Sequence, residues 1–131
     1  MSKVNGIYAA TLSVLNDDLS LNIKKTINHA ENVMELGCHG VVFFGSTGQS
    51  QLISLSDKIQ MINNLPGSQD KEKFIIGTGL NSLGDTINLM SISLSNKLKK
   101  FLIMPPAYYK YQDDDVINFY SKIIEALPES E

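Results

Sequence analysis

Four times along the chain a short apolar run leads into a turn of small or polar residues. Each turn leads into a longer stretch whose apolar residues recur every three or four positions. The short runs are Gly6 to Leu12, Gly40 to Phe44, Phe74 to Gly77 and Phe101 to Met104. They are too short and too rich in β-branched and aromatic residues for helices, which predicts buried strands. The longer stretches carry helical stripes: Ile23, Ile27, Ala30 and Met34; then Ile59, Ile62 and Leu65; then Ile87, Met90 and Leu94; and last Val116, Tyr120 and Ile123, with Leu127 and Pro128 near the end.

End signals agree with this division. Asn16-Asp17-Asp18 is turn-like, and Ser20 is expected to cap the first helix. Ser54 with Asp57, and Ser82 with Asp85, form capping patterns before the second and third. Gly37 is placed to end the first helix and Pro66-Gly67 the second, leaving Gln69 to Lys73 as a polar connector. Asp113, Asp114 and Asp115 fall in the first turn of the fourth helix, where the dipole favours acids. Lys97, Lys99 and Lys100 fall at the C-terminal end of the third, where it favours cations.

Strand–helix repeated four times, with a period of roughly 30 residues, is the signature of βα units. The expected fold is α/β, a parallel sheet with helices packed outside it, in a single domain over residues 1–131. Every glycine-rich or tyrosine-rich stretch follows a strand, so all of them gather at the C-terminal rim. In a βα barrel that rim is the catalytic face.

Composition narrows the function. The net charge is −3 with no basic block, which argues against a nucleic-acid surface. All 11 basic residues are lysines, so the chain offers no bidentate arginine clamp for a carboxylate. No apolar stretch approaches ~18 residues, so no membrane-spanning helix is expected, and there is no signal peptide; cytoplasm is the default compartment. Cys38, the one cysteine, cannot form an intrachain disulfide and is expected to pack near the second strand. His29 is read as a surface or second-layer residue beside the first helical stripe.

The candidate chemistry centres on Val41 to Ser50. Gly45 and Gly48 are expected to turn the backbone and let a ligand approach. Ser46 and Thr47 present hydroxyls and, with Gly48, backbone N–H groups, which together make an anion cradle. The plainer alternative is a strand-to-helix turn in which the hydroxyls serve as caps. No metal site or cofactor is expected: the three consecutive aspartates point in different directions around a helix. Gly77-Thr78-Gly79-Leu80-Asn81-Ser82 superficially matches a dinucleotide fingerprint. It follows the third strand, lacks the final glycine and has no suitable acidic partner.

Taken together, Gly45-Ser46-Thr47-Gly48, Gly77-Thr78-Gly79-Leu80-Asn81-Ser82 and Pro105-Pro106-Ala107-Tyr108-Tyr109 resemble the dihydrodipicolinate synthase / N-acetylneuraminate lyase family. Gly6-Ile7-Tyr8-Ala9-Ala10-Thr11 and Gly37-Cys38-His39-Gly40 resemble its first strand and the approach to its second. The resemblance covers nearly the whole chain. It implies the N-terminal half of a (β/α)8 TIM barrel and class I aldolase chemistry, in which a strand-six lysine forms a Schiff base with pyruvate or a related 2-oxo acid. It implies that Ser46 is the hydroxyl of a proton relay. Thr47 and Gly48 hold the substrate carboxylate through their backbone, and Tyr108 is the relay tyrosine reaching across a dimer interface. By the same resemblance Tyr109 packs beside Tyr108, and Gly79 and Asn81 shape their loop.

There are departures from the family pattern. Gln49 stands where the family has glutamate, and Ser13-Val14 where it commonly has Thr-Pro. The family is more than twice this long. Strands five to eight, the second relay tyrosine, a nearby arginine and the Schiff-base lysine have no counterpart here. Among the lysines only Lys110, near the rim, is a candidate substitute, and nothing in the sequence would bury it. Ser46 leans towards the sugar-acid lyase branch without deciding it.

Two functions follow. One is the N-terminal part of a pyruvate-dependent aldolase, lyase or synthase, inactive alone. The other is a non-catalytic half-barrel that binds a small carboxylate or serves as an assembly module. Either leaves open sheet edges and an inner face expected to comprise Ile7, Val42, Phe44, Ile76 and Ile103. Such surfaces promote association, so a homo-oligomer is expected.

Overall fold

A computed structural model describes residues 4–65 and 70–131. The proposed stop at Pro66-Gly67 and the start of the connector at Gln69 lie outside the described residues. The elements are β1 (Tyr8–Ala10), α1 (Ile23–Glu35), β2 (Gly40–Phe43), α2 (Leu55–Asn64), β3 (Phe74–Gly77), α3 (Leu83–Ser95), β4 (Lys100–Leu102) and α4 (Asp113–Ala126). The four strands pair in parallel in the order β1-β2-β3-β4. Among the described strands the order does not reverse, so they form no topological switch point, the feature at which doubly wound folds bind nucleotides.

Register fixes which side chains share a face. Ala10, Val42, Ile75 and Lys100 form one row across the sheet, and Phe43, Ile76 and Phe101 form the next, on the opposite face. The two faces differ in burial. Val41, Phe43, Phe74 and Ile76 are no more than 1% exposed and pack against the helices. Val42, Ile75 and Lys100 are half-buried, and Ala10 and Leu102 are exposed. The helices thus cover one face and leave the other open.

This corrects the expected inner face. Only Val42 of the five residues named for it lies there. Ile76 and Phe44 belong to the core under the helices, and Ile103 packs with Met90, Phe119, Ile123 and Leu127. Ile7 is exposed ahead of the paired part of β1. Parallel strands are apolar on both sides, so hydropathy alone does not say which side the helices take.

The caps resolve similarly. Ser54 accepts from the Asp57 N–H, Ser82 accepts from the Asp85 N–H, and Gly37, at φ +112°, follows the end of α1. The cap of α1 is Asn22, not Ser20: the Asn22 side chain accepts from the Lys25 N–H at 3.0 Å. Ser20 instead donates to Asp18, whose carboxyl is held below its ordinary pKa chiefly by that hydroxyl. Asp113 to Asp115 do open α4, where Asp115 and Gln112 complete a capping box. On the outer edge of β4, Glu131 donates its N–H to Lys99 O and accepts from the Phe101 N–H, a single rung of parallel pairing.

The corrected cap gives a direct test. Asn22→Ala should lower the urea-unfolding free energy by about 1 kcal/mol, and Ser20→Ala by less than about 0.5 kcal/mol. A larger loss from Ser20→Ala would return the cap to position 20.

Candidate functional site

The loops after β2, β3 and β4 enclose a cleft of ≈ 680 Å³ at the C-terminal rim of the sheet. Its wall is built from Phe44 to Ser46 and Gln49 to Leu52 on the first of these loops, Gly79 on the second, and Leu102 to Pro105 at the end of β4. Ser46 therefore lines the cleft. Thr47, Gly48 and Tyr108 do not belong to its wall.

The turn at 45–50 is shaped differently from the expectation. Gly45 and Gly48 keep negative φ, whereas Phe44 (φ 56°) and Gln49 (φ 52°) occupy the left-handed region. A buried phenylalanine adopts that conformation only under tertiary constraint. Here the constraint is close backbone approach: a Cβ at Gly77 would overlap the carbonyls of Phe43 and Phe44. Gly48 serves space rather than dihedral freedom, since a Cβ there would come within 3.0 Å of Thr11 O.

Neighbouring loops hold this turn. Ser13 donates to Gly48 O at 2.6 Å, and the Gln49 N–H bonds Ser46 O at 3.0 Å. The N–H groups of Ser46, Thr47 and Gly48 have no acceptor among the described residues. A run of uncommitted amides at a turn suits an anion. Asn81 accepts from the Ala107 N–H at 2.9 Å, tying the β3 loop to the β4 loop, and Gly79 takes φ +55°. Tyr108 (φ 80°) stands on that same rim at 91% exposure, edge-to-face with Tyr109. Lys110 is exposed beside them.

The sequence motifs do not single out Lys58, which the structure places behind the cleft. It is fully buried, and its Nζ donates to Thr78 O at 2.8 Å and to Ser50 Oγ at 3.2 Å, 5.8 Å from the Phe44 ring centroid. Burial pushes its pKa from 10.5 down to about 8. The available signal was its register: Lys58 lies three and four residues before Met61 and Ile62, on the face of α2 that is buried. Thr78 is also enclosed, and its hydroxyl has no partner among the described residues. Among those residues no three His, Cys, Asp or Glu side chains are grouped to hold a metal ion, and no helix is long and apolar enough to cross a membrane.

Four consecutive βα units, with their turns converging on one rim cleft, define the N-terminal half of a TIM barrel. The chain belongs to the dihydrodipicolinate synthetase family, whose model matches residues 3–129. It is 28% identical over 123 residues to the 4-hydroxy-tetrahydrodipicolinate synthase of Listeria monocytogenes serotype 4a, covering 92% of this chain and 42% of that protein. Its fold matches Proteus mirabilis N-acetylneuraminate lyase with TM-score 0.86 and 21% identity, covering 98% of this chain and 44% of that one. It also matches a prophage protein of the dihydrodipicolinic acid synthase family from E. coli K12, solved in complex with pyruvate, with TM-score 0.85 and 19% identity, covering 97% and 43%. The chain spans less than half the length of each of these proteins.

The lowered Lys58 pKa makes stability depend on pH. Between about 8 and 10.5 the unfolded chain holds more protons than the folded one, so this contribution to stability rises with pH across that window. Below pH 8 the cost of burying the charge is fully present. The stability of the wild type relative to Lys58→Met should therefore increase by up to about 3 kcal/mol between pH 7 and 10.5. A difference that stays flat in paired urea titrations would contradict the burial of a titrating ammonium.

Proposed function

We propose that this chain supplies the carboxylate-gripping part of a Schiff-base aldolase, lyase or synthase site that takes pyruvate or a closely related 2-oxo acid. The observation that carries the proposal is the set of three uncommitted amides at Ser46, Thr47 and Gly48, beside a cleft at the strand ends. Thr47 and Gly48 would donate backbone N–H groups to the substrate carboxylate, with the Ser46 hydroxyl placed against the reacting carbonyl. Carboxylates bind well where several N–H dipoles converge. Tyr108, largely exposed on one chain, would complete the proton relay from a neighbouring subunit.

In such chemistry a neutral amine adds to the keto carbon, and uptake of a proton with loss of water leaves an iminium that withdraws electrons from the adjacent carbon. That amine is not among the lysines described. Lys110 is solvated, and Lys58 lies behind the cleft wall with its hydrogen bonds committed to Ser50 and Thr78. The nucleophile would come from a strand-six lysine outside these 131 residues. The uncovered inner face and the edge of β1 that pairs with no described strand support association of this chain with another copy. The same open face supports the second reading, a non-catalytic half-barrel that binds a small carboxylate or acts as an assembly module.

In an NMR titration, pyruvate should shift the amides of Ser46, Thr47 and Gly48, and acetone, which lacks the carboxylate, should not. Equal shifts with both compounds, or none with pyruvate, would remove the carboxylate site. Borohydride with pyruvate should leave the mass of the chain unchanged; a reduced adduct on Lys110 would restore the nucleophile to this chain. Light scattering at micromolar concentration should report association, and a monodisperse monomer would count against it.

A further inference from the structure

We infer that Lys58 is the positioning residue of the rim cleft: its ammonium ties the loop after β2 to the end of β3 and makes the cleft selective for anions. The inference rests on the carboxylate reading of the cleft and adds the source of its charge. The geometry is specific. Ser50 and Gly79 line the cleft, while Lys58 Nζ bonds Ser50 Oγ and the carbonyl of Thr78, the residue just before Gly79. The ammonium thus bonds one wall residue, Ser50, and the residue next to another, Gly79. Ser50 Oγ also fills the space that a Cβ at Gly79 would need, so the two loops are in direct contact where Lys58 joins them.

Among the described residues no acid forms an ion pair with this cation. Neither described ion pair, Lys73–Asp70 or Lys122–Glu125, involves it. Asp57, its neighbour on α2, accepts from the Leu21 N–H. The loop after β2 brings Phe44 and Ser50 to it, and β3 brings Thr78. The ionisable groups of α1 and α3, half-buried His29 and Glu31 and exposed Asp85 among them, make no hydrogen bond with it. Burial is the sole cause of its lowered pKa, in keeping with that isolation. A buried charge without a counter-ion is costly, and an anion placed nearby in a low-dielectric setting recovers part of the cost. Pyruvate held by the turn at residues 46–48, at the edge of the cleft, would be such an anion.

The test measures pyruvate binding by NMR from pH 6.5 to 9.5 in the wild type, Lys58→Met and Lys58→Arg, with amide exchange at Ser50 and Thr78 as a second readout. A bound carboxylate favours protonated Lys58, so wild-type affinity should fall as pH rises above about 8. Lys58→Met should bind at least tenfold more weakly at pH 6.5, with a flat pH profile and faster exchange at both amides. Lys58→Arg should keep its affinity at pH 9.5. Pyruvate binding that is independent of pH in the wild type, or unchanged in Lys58→Met, would overturn the inference. If Lys58→Met does not fold, the wild-type profile against Lys58→Arg decides. Should wild type bind no pyruvate while Lys58→Met speeds exchange, the carboxylate reading fails and the tie between the loops stands. Unchanged exchange in folded Lys58→Met would refute the tie.

Discussion

Where β2 and β3 end, their backbones come so close that only glycine fits at position 77. This contact shapes the site. It holds Phe44 in the left-handed region and turns the chain out of the sheet at once, so that Gly45 to Ser50 lies across the rim instead of extending the strand. Further along the same loop Ser50 lies against Gly79, and its hydroxyl accepts from the ammonium of Lys58. A side chain at position 77 would separate the strand ends and, with them, both sides of the cleft.

The energetics divide between two layers. Under the helices, Val41, Phe43, Phe74 and Ile76 form an apolar core with α1, α2 and α3, and a second cluster joins α3 to α4. At roughly 25 cal/mol per Å² of apolar surface buried, that layer supplies most of the stabilisation. The rim adds little of this kind. Its contacts are polar and individually small: Ser13 to Gly48, Asn81 to Ala107, Lys58 to Ser50 and Thr78. Their effect is to hold a loop in one geometry above a rigid base, which is the usual division between scaffold and site.

Much of this was legible in the chain. Hydrophobic periodicity located all four strands and all four helices, and Ser54, Ser82 and Gly37 marked ends that the structure keeps. The family followed from the order of three turn motifs, each weak by itself. What escaped reading depends on contacts distant in sequence. Ile76 and Ile103 alternate with residues as apolar as themselves, so their side of the sheet is settled by where the helices pack. The left-handed residues beside two available glycines are Phe44 and Gln49, and for Phe44 the constraint is the close approach of β3 at Gly77. Lys58 reads as solvated because lysine nearly always is. Only its place on the inner stripe of α2 hinted otherwise.

The central claim is that the turn between Gly45 and Ser50 receives a carboxylate at the rim of the sheet. A crystal structure of this chain grown with pyruvate tests it most directly. The carboxylate oxygens should lie within hydrogen-bond reach of the Thr47 and Gly48 amides, with the keto group towards Ser46. Pyruvate bound on the open inner face, or turned with its methyl group into the turn, would contradict it.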